Sequence, residues 1–259
     1  MPHSTHFGCV LAVFLLLPAE GRIARAAQPD ESAVAAAREL ADTYSNMISL
    51  LSERLFVSFL PPQRDAANIA HMMRALVERF REIYIGIAAP IFARRLTIED
   101  MQALTRDFKA PAFQTFTAAV ADSTPIMISC MRSDLAALPK PQASPSEDRQ
   151  RLARQLWVLQ QEANPSPPQS GGDAVPPPAS KKLQEEFARL GDEWRKRSDC
   201  IDDAATALLA TRLTADALKG LIALEQSPLV EKLNVVMEEV KEQFGQTLAE
   251  EFQKMFGVR

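Results

Sequence analysis

Histidine is almost missing from this chain. Of its 3 histidines, His3 and His6 sit at the extreme N-terminus and only His71 lies in the body of the sequence. A single imidazole cannot build the usual zinc sets. No Glu stands three residues before it, which excludes the Glu-x-x-His pattern of carboxylate-bridged di-iron bundles. A serine triad would have to use His71 as its base, yet there is no Gly-x-Ser-x-Gly elbow. Glycine is scarce as well, at 9 of 259 residues, and neither a glycine-rich phosphate loop nor a Cys-x-x-Cys pair is present. With only 2 Tyr and abundant Ala and Leu, the composition favours helix over sheet. No basic block interrupts a chain of formal net charge −4, so nucleic acid is not an expected partner. No stretch is apolar enough to predict a stable membrane span. The residue types therefore nominate no catalytic residue, no cofactor-binding residue and no metal ligand.

The N-terminus carries the features of a secretory leader. Cys9 to Leu17 is a nine-residue apolar run, too short to cross a bilayer. Ala24-Arg25-Ala26 offers a small-x-small cleavage site ending at Ala26, and Ala19-Glu20-Gly21 a nearer one. Residues 1–26 are thus expected to be a signal peptide and the mature chain periplasmic or secreted; an uncleaved tether is the alternative. Removing them leaves Cys130 and Cys200. An even pair in an oxidising compartment permits a disulfide, and two buried thiols are the competing reading.

One stretch occurs twice. Residues 94–111 read RRLTIEDMQALTRDFKAP and residues 211–228 read TRLTADALKGLIALEQSP, offset by 117 without a gap. Arg95, Leu96, Thr97, Leu104 and Pro111 recur as Arg212, Leu213, Thr214, Leu221 and Pro228. Thr97 and Thr214 suit helix N-caps, because the side-chain oxygen accepts from an orphan backbone N–H. Asp100 adds a capping box to the first copy; Ala217 leaves the second with the cap alone. Pro111 and Pro228 suit a first helical position, where the missing N–H has no partner to lose. Each copy predicts a short helix, a sharp corner and a long helix.

Leu-Thr, an acidic residue, an apolar run and then Ala-Pro or Ser-Pro resembles the core motif of domain-of-unknown-function family 2059. Leu96, Thr97, Asp100, Met101, Phe108 and Pro111 carry the first copy of that motif, and Leu213, Thr214, Leu218, Ser227 and Pro228 the second. Asp107, Leu224, Glu225, Ala112 and Leu229 depart from it. The resemblance implies an exported α-helical domain and brings no catalytic residue with it.

Along the chain, residues 31–59 predict a long helix with a stripe of Val34, Ala37, Leu40, Tyr44, Met47, Leu51, Leu55 and Phe59. A second is expected from about 65 to 91 on Ile69, Met73, Leu76, Phe80, Ile83 and Ile87, kinked or broken at Pro90. Phe113, Phe116, Val120, Met127, Met131, Leu135 and Leu138 mark the helix after Pro111, bent at Pro125. Residues 139–180 hold nine of the 18 prolines and read as a semi-rigid linker with one helical island at 147–162, or as a Pro-x-x-P ligand. Helix resumes over 181–211 on Leu183, Phe187, Leu190, Trp194, Ile201, Ala205 and Leu208, and the last long helix buries Leu229, Leu233, Val236, Val240, Phe244, Leu248 and Phe252. Its charged face, with Glu231, Lys232, Glu238, Glu239, Lys241 and Glu242, reads as solvated.

The expected architecture is all-α: two related helical repeats, 27–138 and 181–259, of long helices joined by short capped ones, with the Pro-rich linker between them. The expected function is that of a non-enzymatic interaction or structural module acting on an unknown protein or lipid of the bacterial cell envelope. Two rivals stay open: a carrier of an apolar ligand in an interhelical cavity, suggested by the Met-rich faces, and an unrecognised hydrolase using paired carboxylates. Asp199, Asp202 and Asp203 cluster in sequence but are expected to spread over a surface, and Trp157 and Trp194 read as core.

Overall fold

The architecture is that of a computed structural model, which describes residues 30–59, 66–132, 145–163 and 198–256. These residues form eight α-helices and no strand. They are α1 (Glu31–Phe59), α2 (Ala66–Arg95), α3 (Ile98–Lys109), α4 (Pro111–Arg132), α5 (Glu147–Ala163), α6 (Ser198–Arg212), α7 (Ala215–Glu225) and α8 (Pro228–Phe256). The fold is all-α, as the composition and periodicity lead one to expect.

The two short helices start in the same way. Thr97 precedes α3 with φ −77° and ψ 163°, and Thr214 precedes α7 with φ −72° and ψ 161°. The Thr97 hydroxyl accepts from the Asp100 N–H at 3.1 Å, while the Asp100 carboxylate accepts from the Thr97 N–H at 3.1 Å. Thr214 accepts from the Ala217 N–H at 3.2 Å. The corners that follow differ. Ser227 caps α8 by accepting from the Val230 N–H at 3.2 Å. Ala110 has no such oxygen, and the Gln114 amide instead donates to the Phe108 carbonyl at 2.6 Å.

The apolar stripes join in one core to which all eight helices contribute. Leu40, Ile91, Phe92, Met101, Leu104, Met127, Leu156, Ile201, Leu209, Leu218, Val240 and Leu248 are each less than 2% exposed. Helix α1 packs on α2, α3 and α4, α3 also touches α4, and α5 lies against α6 and α7. The two groups then exchange their long helices: α4 packs on α6, and α8 packs on α2. Helix α4 brings Phe113, Phe116, Ala119 and Met127 to the common core, and α8 brings Leu233, Val236, Val240 and Phe244.

Several sequence expectations change in detail. Helix α2 continues through Pro90 to Arg95. The proline forfeits one backbone bond near the helix end, and Ile91 and Phe92, both buried, hold the last turn in place. Helix α4 includes Pro125, where a bend was expected, within one continuous helix. Val34 is 46% exposed and not part of the stripe, because α1 turns Ala37, Leu40 and Ala41 inward. In α2 the buried side chains are Val77, Tyr84, Ala88, Ile91 and Phe92, with Phe80, Ile83 and Ile87 partly buried beside them. The α8 face is not simply solvated: Glu239 takes both Arg94, at 3.0 Å, and Arg95, at 2.9 Å. Lys232 pairs with Asp100, and Arg79 with Glu251 at 3.3 Å. The arginine pairs run along the α2–α8 seam, and the Lys232–Asp100 pair joins α8 to α3. The expected core positions Leu55, Phe59, Ile69, Met73, Met131, Leu135, Leu138, Leu183, Phe187, Leu190, Trp194 and Phe252 fall among residues or side chains outside the described set.

Lys232, with the Thr97 N–H and hydroxyl, lowers the Asp100 pKa from its ordinary value. A lowered acid stabilises the fold at pH values above its ordinary 3.8, and that contribution is lost as pH falls through the folded-state value. Replacing the caps tests the local account. Thr97→Ala and Thr214→Ala should each cost about 1 kcal/mol in denaturant unfolding, and Thr→Ser at either site, which keeps the acceptor, close to nothing.

Candidate functional site

Three places combine polar chemistry with burial. The first is a crevice where α1, α2 and α8 meet, lined by Ser45, Ser49, Ser52, Arg81, Tyr84 and Phe244 among others. Ser45 and Ser52 are buried. Arg81 reaches Asp42 at 2.5 Å and Glu78 at 3.2 Å, so its charge is balanced, yet its Nε is buried without a hydrogen-bond partner. Burial pushes the Tyr84 phenol well above its ordinary pKa, and its O–H points at the Met237 sulfur, 3.6 Å away. The cavity volume is about 20 Å³. That is room for roughly one water molecule, and a lipid chain needs far more.

The second is the bridge between Cys130, in α4, and Cys200, in α6. Their sulfurs are 2.04 Å apart and their Cα atoms 6.0 Å apart. The disulfide crosses the α4–α6 contact, one of the two seams joining the N-terminal and C-terminal helices. It closes a loop of 70 residues that contains the whole Pro-rich segment.

The third is the seat of α5. The island foreseen at 147–162 is a helix of this extent, but it is not suspended in a linker. Leu152, Ala153, Leu156 and Trp157 are buried in the common core. Asp202 of α6 accepts from the Trp157 indole N–H at 2.8 Å and from the Gln161 amide at 2.7 Å. Arg154 pairs with Asp203 at 3.1 Å. So two of the three clustered aspartates face α5. Among the described residues no group of three His, Cys, Asp or Glu is placed to hold a metal ion. Next to this seat stands Glu225, half-buried at the end of α7. Desolvation raises its carboxyl from 4.5 to about 7, opposed only in part by a hydrogen bond from Gln160 of α5.

The structural motif residues Thr97, Pro111, Thr214 and Pro228 are helix starts, and none of them lines the crevice. His71 is exposed on α2. Ala26 lies outside the described residues. Sequence reasoning missed Asp202 and Glu225. The signal for Glu225 was available in the repeat, where it takes the place, 117 residues on, of the buried Phe108. Neither a family model, nor a curated protein, nor a solved structure matches this chain.

Two measurements probe these places. Cys130→Ala/Cys200→Ala should lower unfolding stability by about 4 kcal/mol, from the entropy released to a 70-residue loop in the unfolded chain. Among the described residues the buried Thr105 and Thr206 hydroxyls have no hydrogen-bond partner. Thr→Val at either should therefore be neutral or stabilising, whereas Thr117→Val, which loses a bond to the Phe113 carbonyl at 3.0 Å, should cost about 1 kcal/mol.

Proposed function

We propose that this chain is an exported, non-enzymatic helical scaffold: two divergent copies of one helical unit, clamped together, that serve as an interaction or structural module of the bacterial cell envelope. The observation that carries the reading is the Cys130–Cys200 bridge across the seam between the two groups of helices. A structural disulfide belongs to an oxidising compartment, and the leader-like residues 1–26 supply the route.

The doubling has its own support. Thr97 and Thr214 cap helices of 12 and 11 residues, each followed by a proline that opens a long helix. Leu96, Met101, Leu104, Phe113 and Phe116 are buried, and so are their counterparts Leu213, Leu218, Leu221, Val230 and Leu233. The contacts are reciprocal, α4 on α6 and α8 on α2, as a repeated unit paired with itself would make them. The resemblance to domain-of-unknown-function family 2059 belongs to this proposal. The apolar-carrier alternative draws no support from the α1–α2–α8 crevice, whose volume suits roughly one water.

The test is the state of the native protein in its own cells. Expression without a tag and intact-mass analysis of the fractionated envelope should find a chain beginning after Ala26, with Cys130 and Cys200 resistant to thiol label until reductant is added. Recovery of the full-length chain from the cytoplasm with both thiols free contradicts the reading. So does a turnover that depends on one named side chain.

A further inference from the structure

The two seams between the helix groups match residue for residue. At the α2–α8 seam, Arg95 donates to Glu239 at 2.9 Å. At the α4–α6 seam, Arg212 donates to Asp122 at 3.0 Å. Arg212 stands 117 residues after Arg95, and Glu239 stands 117 residues after Asp122. Donor and acceptor of one pair are thus the repeat counterparts of donor and acceptor of the other, with the two units in exchanged roles. The apolar contacts follow the same rule. Tyr84 lies edge-on to Phe244 with ring centroids 5.6 Å apart, and their counterparts, Ile201 and Met127, are both buried. Both seams run antiparallel. Passing from Glu239 to Phe244 to Glu251 along α8 leads back from Arg95 to Tyr84 to Arg79 along α2. Passing from Asp122 to Cys130 along α4 leads back from Arg212 to Cys200 along α6.

Within each unit the match holds with α5 shifted by one residue. Ala37, Leu40 and Ala41 are the buried positions of α1, and Ala153, Leu156 and Trp157, each 116 residues on, are buried in α5. Tyr44 of α1 packs on Phe108 of α3 with ring centroids 5.9 Å apart. Gln160 of α5, at the same shift, bonds to Glu225, the counterpart of Phe108. An interface in which position i of one unit meets position j of the other, while j of the first meets i of the second, is that of a two-fold axis. Such a surface is self-complementary, so what fits it is another copy of the unit that carries it.

We propose that this surface recognises a second copy of the chain: two chains exchange units, so that α8 of each lies on α2 of the other and α4 of each on α6 of the other. The inference rests on the doubling proposed above. Every seam contact of the closed chain recurs between the two chains, Arg95 to Glu239 and Arg212 to Asp122 included, so the exchange needs no new surface and loses none of the core. The difference between the forms is the tether from Arg132 to Glu147, which holds the two units of one chain together. A short flexible tether gives an effective concentration in the millimolar range. The closed chain therefore dominates in dilute protein, and the exchanged pair grows as the chain approaches about 1 mM. The cysteines fix whichever form is made. Cys130 and Cys200 mark the α4–α6 seam alone; at the α2–α8 seam their counterparts are Thr247 and Ile83. One bond within a chain commits it to the closed form, and two bonds between chains commit them to the pair.

Full-length chains carrying Cys9→Ser test this with oxidised glutathione as the oxidant; each protein disulfide formed reduces one oxidised glutathione to two thiols. Ile83→Cys/Thr247→Cys, in a Cys130→Ala/Cys200→Ala background, should close a bond within the chain, because it recreates the same pair at the other seam. Two free thiols after refolding overturn the match of the seams and the doubling with it. Exchange is read separately. Cys130→Ala and Cys200→Ala chains, unfolded together and refolded at about 1 mM, should give a mixed disulfide of twice the chain mass, and its share should fall roughly in proportion to concentration on dilution. Chains that all carry Cys130→Ala, whose cysteines stand at like positions, should give none. Light scattering of the chain with Cys130 and Cys200 in place, refolded at the same concentrations, should find the same pair without a substitution in either seam. Monomer alone at about 1 mM, or bonds formed as readily between like positions, overturns the exchange; the doubling then stands on the Ile83→Cys/Thr247→Cys bond.

Discussion

The exchange of long helices holds this molecule together. Without α8 lying on α2, and α4 on α6, each group of helices would expose an apolar stripe along its full length. Leu233, Val236, Val240, Phe244 and Leu248 on one side, and Phe113, Phe116, Ala119 and Met127 on the other, are buried in a single core. Burying such side chains stabilises by roughly 1.5–3 kcal/mol each relative to exposure. The polar contacts of the seams are secondary to this. Arg94 and Arg95 on Glu239, and Arg79 on Glu251, are surface pairs of small individual worth. Their use is to fix the register in which α8 meets α2. The disulfide does the same for α4 and α6 and acts mainly on the unfolded chain.

How much of this was legible in the sequence depends on whether a feature is local. The caps were readable because Thr97 with Asp100, and Thr214 with Ala217, act within one turn. The boundaries of α1 and α5 followed from periodicity and from the proline segments around them. The outcome at internal prolines was legible only in part: Pro90 was expected to kink or break its helix, and the helix runs on to Arg95. Pro90 and Pro125 sit in helices whose neighbours are held by tertiary packing, and burial of Ile91 and Phe92 outweighs one lost backbone bond. Long-range partners were the least legible. Nothing in the spacing of Asp199, Asp202 and Asp203 says that Asp202 will accept from an indole 45 residues away, or that α5 will complete the core rather than float in a linker.

The polar interior is uneven, and that unevenness separates structure from candidate function. The crevice at Arg81 is balanced in charge, holds about 20 Å³ and is lined largely by apolar surface from Ile48, Val77, Phe80 and Phe244, which makes it a packing defect. Glu225 is different. It is a half-buried titratable group at the end of α7, in contact with Gln160 of α5. On the proposed doubling, Glu225 stands where the first copy keeps the buried Phe108.

The claim on which the account rests is that the N-terminal and C-terminal helices stabilise each other and do not fold as separate bodies. Denaturant unfolding of the oxidised chain, followed helix by helix through pulsed hydrogen exchange, addresses it directly. One concerted transition in which α2 and α8 lose protection together with α4 and α6 is the predicted result. Two transitions, with α1–α4 retaining full protection after α6–α8 have exchanged, would contradict it.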